Sequence, residues 1–90
     1  MNTTVAKRIE FQTNRKSQST YKPIFLFRDM DFYFMYNEDA EITSKELGIR
    51  KTTATENDFT YTVFPSYYLD QYLPILIRKG HHVAIVDNLF

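Results

Sequence analysis

From Arg28 to Ala40 the chain reads Arg-Asp-Met-Asp-Phe-Tyr-Phe-Met-Tyr-Asn-Glu-Asp-Ala, with aromatic and methionine side chains set between acidic ones. What surrounds this stretch limits the fold. Just before it, Ile24-Phe-Leu-Phe27 is apolar on both faces, the pattern of a strand buried inside a sheet, and Pro23 can stand at its start because the ladder has not yet begun. At its end a helix begins: Asn37 is a suitable N-cap, Glu38, Asp39 and Glu41 complement the positive end of the helix dipole, and Gly48 supplies a left-handed stop after Leu47. Ala40, Thr43, Ser44 and Leu47 fall at helical spacing, so this helix is expected to bury a narrow stripe.

The rest of the chain alternates between the two regular structures. Ile49–Thr55 and Asp58–Phe64 read as strands joined at Glu56-Asn57, and Phe59, Tyr61 and Val63 alternate with Thr60 and Thr62, predicting a sheet with the aromatic face buried. Pro65-Ser66 opens a second helix to Lys79, with Leu69, Tyr72, Leu73, Leu76 and Ile77 inward and Gly80 ending it. Pro74 removes a backbone bond inside this helix, so a kink or a late start near Gln71 is expected. His82–Val86 is a further strand apolar on both faces, predicted to be central and parallel to a neighbour. Residues 1–20 show no helical period; they read as a flexible basic arm, in which Val5, Ile9 and Phe11 suggest a short edge strand. The expectation is an α+β domain over 21–90, a mixed sheet packed with helices in the order β-α-β-β-α-β after that arm.

Size and composition exclude several functions. Ninety residues make one domain and leave no room for an ATPase. The absence of cysteine rules out disulfides and thiolate metal sites. No apolar run approaches the roughly 20 residues needed to cross a bilayer, and the polar start does not resemble a signal peptide; a cytoplasmic protein is expected, with no membrane partner. Formal net charge is zero, unlike a self-sufficient DNA binder, yet the charge is polarised. Lys7, Arg8, Arg15, Lys16, Lys22 and Arg28 oppose Glu10 alone in residues 1–28, whereas residues 29–46 are acidic apart from Lys45. Such a positive arm can follow phosphates or simply be a solvated tail.

The central motif resembles the mismatch-sensing segment of the N-terminal domain of MutS-type DNA mismatch repair proteins, written Arg-x-Gly-Asp-Phe-Tyr-Glu-x-Phe/Tyr-x-x-Asp-Ala. Arg28, Asp31, Phe32, Tyr33, Tyr36, Asp39 and Ala40 are in register, while Met30 replaces the glycine and Phe34 the glutamate. The likeness runs from Tyr21 to Leu89. It includes Glu46-Leu-Gly-Ile49 and a longer match through Pro65, Leu69, Asp70, Tyr72, Leu73, Ile77, Gly80, Val83, Ala84 and Ile85. The resemblance implies a non-catalytic module that binds mismatched or distorted DNA weakly in DNA mismatch repair, with Phe32 wedged beside a weakly stacked base. Phe34 has no hydrogen-bonding group to replace the glutamate that contacts the base, and a glycine at position 30 would serve a positive φ or a close approach. The family's basic pair and Tyr-His are replaced by Thr53-Ala54 and Ser66-Tyr67.

The candidate DNA-binding residues are therefore Phe32 and Arg28 from the motif, Arg50 and Lys51 from charge, and Tyr67 as an aromatic able to stack on unpaired bases. Each also has a structural reading: Phe32 as one aromatic among many in a small core, Tyr67 as a cover for a core or an interface. No catalytic constellation, metal site or cofactor is implied: His81-His82 side chains diverge, the acidic cluster is explained by the helix start, and Gly48 and Gly80 make no phosphate loop. A second reading is a protein-interaction module that keeps the fold but has lost mismatch recognition, using its aromatic surface to bind another repair protein, or itself.

Overall fold

Ile24, Phe25, Leu26 and Phe27 are only 2%, 5%, 0% and 2% exposed, so the doubly apolar strand is covered on both faces as its sequence requires. The structure is a computed structural model and describes residues 2–54 and 59–87. Its elements are α1 (Thr3–Gln18), β1 (Ile24–Asp29), β2 (Phe32–Tyr36), α2 (Glu38–Leu47), β3 (Thr52–Ala54), β4 (Phe59–Pro65), a 3-10 turn (Ser66–Tyr68), α3 (Leu69–Arg78) and β5 (Val83–Val86). The strands form one mixed sheet in the order β3-β4-β2-β1-β5, parallel only between β1 and β5. The α+β class with a mixed sheet packed with helices is as expected.

Two apolar clusters occupy the two faces. On one, Ile24, Leu26, Tyr33, Met35 and Phe64 pack with Leu76 of α3 and with Ile42 and Leu47 of α2. On the other, Phe25, Phe27, Tyr36 and Phe59 receive Val5, Ile9 and Phe11 of α1. That second cover corrects the reading of residues 1–20 as a flexible arm with an edge strand. Asn2 caps α1, its Oδ1 accepting from the Val5 amide at 2.8 Å, and Arg15 and Lys16 lie in the last turn where cations suit the dipole. The inward face of α1 includes Arg8 and Gln12, both buried, and that polar stripe hides the amphipathic signal that hydrophobic periodicity looks for.

Other differences are local. Arg28–Tyr36 contains the end of β1, a two-residue connection and β2, adding a strand to the expected order; Phe27, Arg28 and Asp29 pair with Phe34, Tyr33 and Phe32. β5 is parallel to β1, as predicted, but lies at the sheet edge rather than its centre. In β4 the expected burial of Phe59, Tyr61 and Val63 on one face is not what the fold shows: Phe59 is buried, Tyr61 half-buried and Val63 exposed, while Phe64 is buried and Thr62, fully enclosed, shares a 2.7 Å hydrogen bond with Thr43 of α2. The helix expected from Ser66 begins as a 3-10 turn and becomes α-helical at Leu69, with Pro74 inside it; Ile77 is exposed, not inward. Gly48 ends α2 with φ 68, the left-handed stop its position suggested. Asn37 occupies the N-cap position, but its side chain makes no cap bond; its Oδ1 accepts from the Thr60 amide at 3.2 Å, tying the start of α2 to β4. The expected turn at Glu56-Asn57 lies outside the described residues. Among the described residues no helix is long and apolar enough to cross a membrane.

Asp39 ties three elements together. It is fully buried at the start of α2, where it accepts from the Phe25 amide of β1 at 2.9 Å and pairs with Lys16 of α1. Burial pushes its carboxyl up to about 6, against the opposing pull of Lys16 and the Phe25 amide. Because this lies above the unfolded value, the native state holds a proton that the unfolded chain has released between about pH 4 and 6. The contribution of Asp39 to stability is therefore full at the acid end of that window and is lost as pH rises through 6. Urea denaturation should show the parent gaining about 1 kcal/mol more than Asp39→Asn between pH 7 and 5; parallel curves for the two proteins would remove Asp39 as the source.

Candidate nucleic-acid interface

The β1–β2 hairpin leaves its end uncovered, and three of the five candidate residues gather there. Phe32 opens β2, pairing with Asp29 on one side and Pro65 on the other, and its ring is 45% exposed. Along β2, Tyr33 and Met35 belong to the cluster under α2 and α3, so strand alternation sends Phe32, Phe34 and Tyr36 to the α1 face. Phe32 is thus neither sealed in the core nor free of the scaffold. Arg28 is exposed at the end of β1; its Nε donates to the Met30 carbonyl at 3.1 Å and its guanidinium lies 5.8 Å from the Tyr33 ring centroid. Tyr67 follows Pro65, is 77% exposed and sits 4.8 Å from the Tyr68 ring, which stacks on Tyr72 at 5.3 Å. The Ser66 amide donates to the Asp31 carbonyl at 2.7 Å, joining the Tyr67 turn to the hairpin end.

Arg50 and Lys51 are not part of this group. Both are exposed just before β3, at the other edge of the sheet from β1, and Lys51 Nζ is ion-paired with Glu41 at 2.6 Å.

Phe34 sits one alternation inward from Phe32, half-buried between Tyr36 and Tyr61, with ring centroids 6.4 and 6.3 Å away. The guanidinium of Arg8 lies over it, 5.7 Å from its centroid. Arg8 Nη1 donates to the Tyr36 hydroxyl at 3.0 Å and Nη2 to Asp29 Oδ2 at 2.9 Å. Burial opposes the charge on Arg8, but the hydrogen bonds to Tyr36 and Asp29 outweigh it and hold the guanidinium above its ordinary range. Burial also raises the Tyr36 hydroxyl, with Arg8 pulling the other way, so the phenol stays neutral. Position 34 is therefore an apolar floor under an already paired cation, with no acceptor or donor of its own.

Sequence reasoning missed Arg8. The clue was the four-residue spacing of Arg8, Gln12 and Lys16, a helix face written in polar residues. The structure also confirms the positive φ proposed at position 30, since Met30 has φ 54. His81 and His82 have different partners: His81 Nε2 lies 3.3 Å from Glu46, and the His82 ring lies 4.5 Å from that of Tyr21 in a tilted contact.

These features define a class of small α+β domain, a mixed sheet between helices with an aromatic hairpin end left open. A family model for MutS domain I matches residues 9–89, and the chain belongs to that family. It is 45% identical over 69 residues to the DNA mismatch repair protein MutS of Parabacteroides distasonis and to that of Cytophaga hutchinsonii. To the protein of the same name from Methanococcoides burtonii it is 41% identical over 70 residues. Each match takes in 73% of this chain and 8% of the relative, so the chain spans a small part of those proteins.

Truncating Arg8 tests the polar anchor beneath the hairpin. Arg8→Met keeps an apolar stem but leaves the Tyr36 hydroxyl and Asp29 without their cation, and should lower unfolding stability by about 1–3 kcal/mol in urea. An unchanged midpoint would show that the ion pair is replaceable by packing.

Proposed function

We propose that this chain is a non-catalytic module that binds mismatched or distorted DNA in DNA mismatch repair, with Phe32 as the wedge. Membership of the MutS domain I family supports the class, and the observation that carries the role is the ring of Phe32, half-exposed at an open sheet end in the motif position. An apolar ring discriminates little between bases. It favours steps that are already easy to unstack, which mismatched pairs provide and regular duplex resists.

Phosphate contact falls to Arg28 beside the hairpin, with Arg50 and Lys51 more distant and Lys51 partly neutralised by Glu41. Tyr67, exposed at the same end as Phe32, supplies a stacking surface for an unpaired base. With zero formal charge and few free cations near the wedge, affinity by this module alone is weak, and added binding surfaces on one scaffold would raise it by factors of about 10²–10⁴.

Neutral charge, Lys51 tied to Glu41 and an apolar residue at position 34 favour a second reading, a protein-interaction module that uses the same exposed aromatics. Titration of labelled mismatched, fully paired and single-stranded oligonucleotides at two salt concentrations separates the two. The DNA-binding reading expects affinity that falls with salt and a preference for the mismatch that Phe32→Ala abolishes without altering the salt slope. No binding to any of the three, or a variant with the parent's preference, would leave the interaction reading in its place. Phe34→Glu offers a complementary measurement. A carboxylate restored beside Arg8 should increase discrimination between mismatch types, read as a wider spread of dissociation constants across a mismatch panel.

A further inference from the structure

Resting on the reading just given, we propose that Met30 is a second apolar wedge that enters the duplex beside Phe32, so that the module selects DNA by ease of unstacking instead of base identity. Met30 is the first residue of the two-residue connection closed by the Asp29–Phe32 pair, and it holds φ 54 there. Tight hairpin turns place glycine at such positions because a Cβ is strained by positive φ. An unbranched apolar side chain is held there instead, 84% exposed, the most exposed of the large hydrophobic residues described.

The tip is braced although its side chain stands in solvent. Arg28 Nε holds the Met30 carbonyl at 3.1 Å, and the Ser66 amide holds the Asp31 carbonyl at 2.7 Å. A rigid backbone presenting a flexible, polarisable thioether suits insertion between base planes, for which methionine is among the residues that architectural DNA-binding proteins use. Charge at the tip is partly offset too. Asp29 is paired with Arg8 at 2.9 Å, and Arg28 stands beside the turn to meet a phosphate. Meanwhile Phe34, at the position where the family pattern has a glutamate, has no group to hydrogen-bond a base, and discrimination through deformability needs none. Two apolar side chains next to one another would hold open a step more effectively than one.

Replacing Met30 by glycine pulls stability and binding in opposite directions, which makes the test decisive. The 90-residue chain, Met30→Gly, Met30→Leu and Phe32→Ala would be titrated by anisotropy against paired, mismatched and single-nucleotide-bulge duplexes. Bending would be followed by energy transfer between the duplex ends, and each protein melted thermally. Met30→Gly should melt at a higher temperature than the parent while binding the mismatched and bulged duplexes about three- to tenfold more weakly and bending them less. Met30→Leu should retain binding and bending, and the salt slope should be common to all. A more stable Met30→Gly that binds and bends DNA like the parent would overturn the second wedge while Phe32→Ala still reports on the first. Weaker binding together with a lower melting temperature would also overturn it, as damage to the hairpin. If neither the parent nor any variant distinguishes the duplexes, the DNA reading itself fails and this inference with it.

Discussion

The architecture depends on a polar helix face meeting a polar seam in the sheet. Arg8, Gln12 and Lys16 of α1 reach Asp29, Tyr36, Glu38 and Asp39, which close the second face of a sheet that needs cover on both. Arg8 and Asp39, the buried charges of this seam, are both paired, because a buried charge without a partner costs far more than the net worth of the pair, whereas the neutral Gln12 leaves its Oε1 without a hydrogen-bond partner. The arrangement therefore specifies where α1 lies more sharply than apolar packing by Val5, Ile9 and Phe11 would alone. Glu38 is more exposed: partial burial opposes its charge, but its own backbone amide, Gln12 and Lys16 hold the carboxyl below its ordinary value.

With α1 packed on one face of the sheet and α2 and α3 on the other, the hairpin end is left open. Phe32 belongs to the α1 face, while Tyr67 is linked through Tyr68 and Tyr72 to the cluster on the α3 face. Met30 lies between the strands that carry them. A sheet can thus present several apolar groups from one end without sacrificing its core, which is a more exact platform for contact than a free loop. At position 34 a phenylalanine lies under the paired Arg8.

Most of the regular elements were legible because their signals are local. The doubly apolar Ile24–Phe27 run, the acidic first turn of α2, Gly48 and the strand at β4, though not which of its residues are buried, depend on chain geometry over a few residues. Phe32 and Met30 were marked by the motif, the latter by its substitution for glycine. What was not legible lacked a local signal of the usual kind. β2 was obscured because its residues are apolar on both faces and follow a turn without glycine, and α1 because half of its buried face is charged or amide-bearing. Thr62 gave no sign of burial, since only a partner such as Thr43 makes an enclosed hydroxyl inexpensive.

By itself the amino-acid order determined the α+β class, the parallel partner expected of β5 and the motif that marks the family, all properties of residue type and spacing along the chain. Tertiary structure alone decided that the basic N-terminal segment is a docked helix, that β5 lies at an edge, and that Arg28, Phe32 and Tyr67 share one end while Arg50 and Lys51 do not. The physical reason is that desolvation and ion pairing depend on what approaches from distant parts of the chain. A charge in a sequence reads as solvated until the fold places its partner beside it.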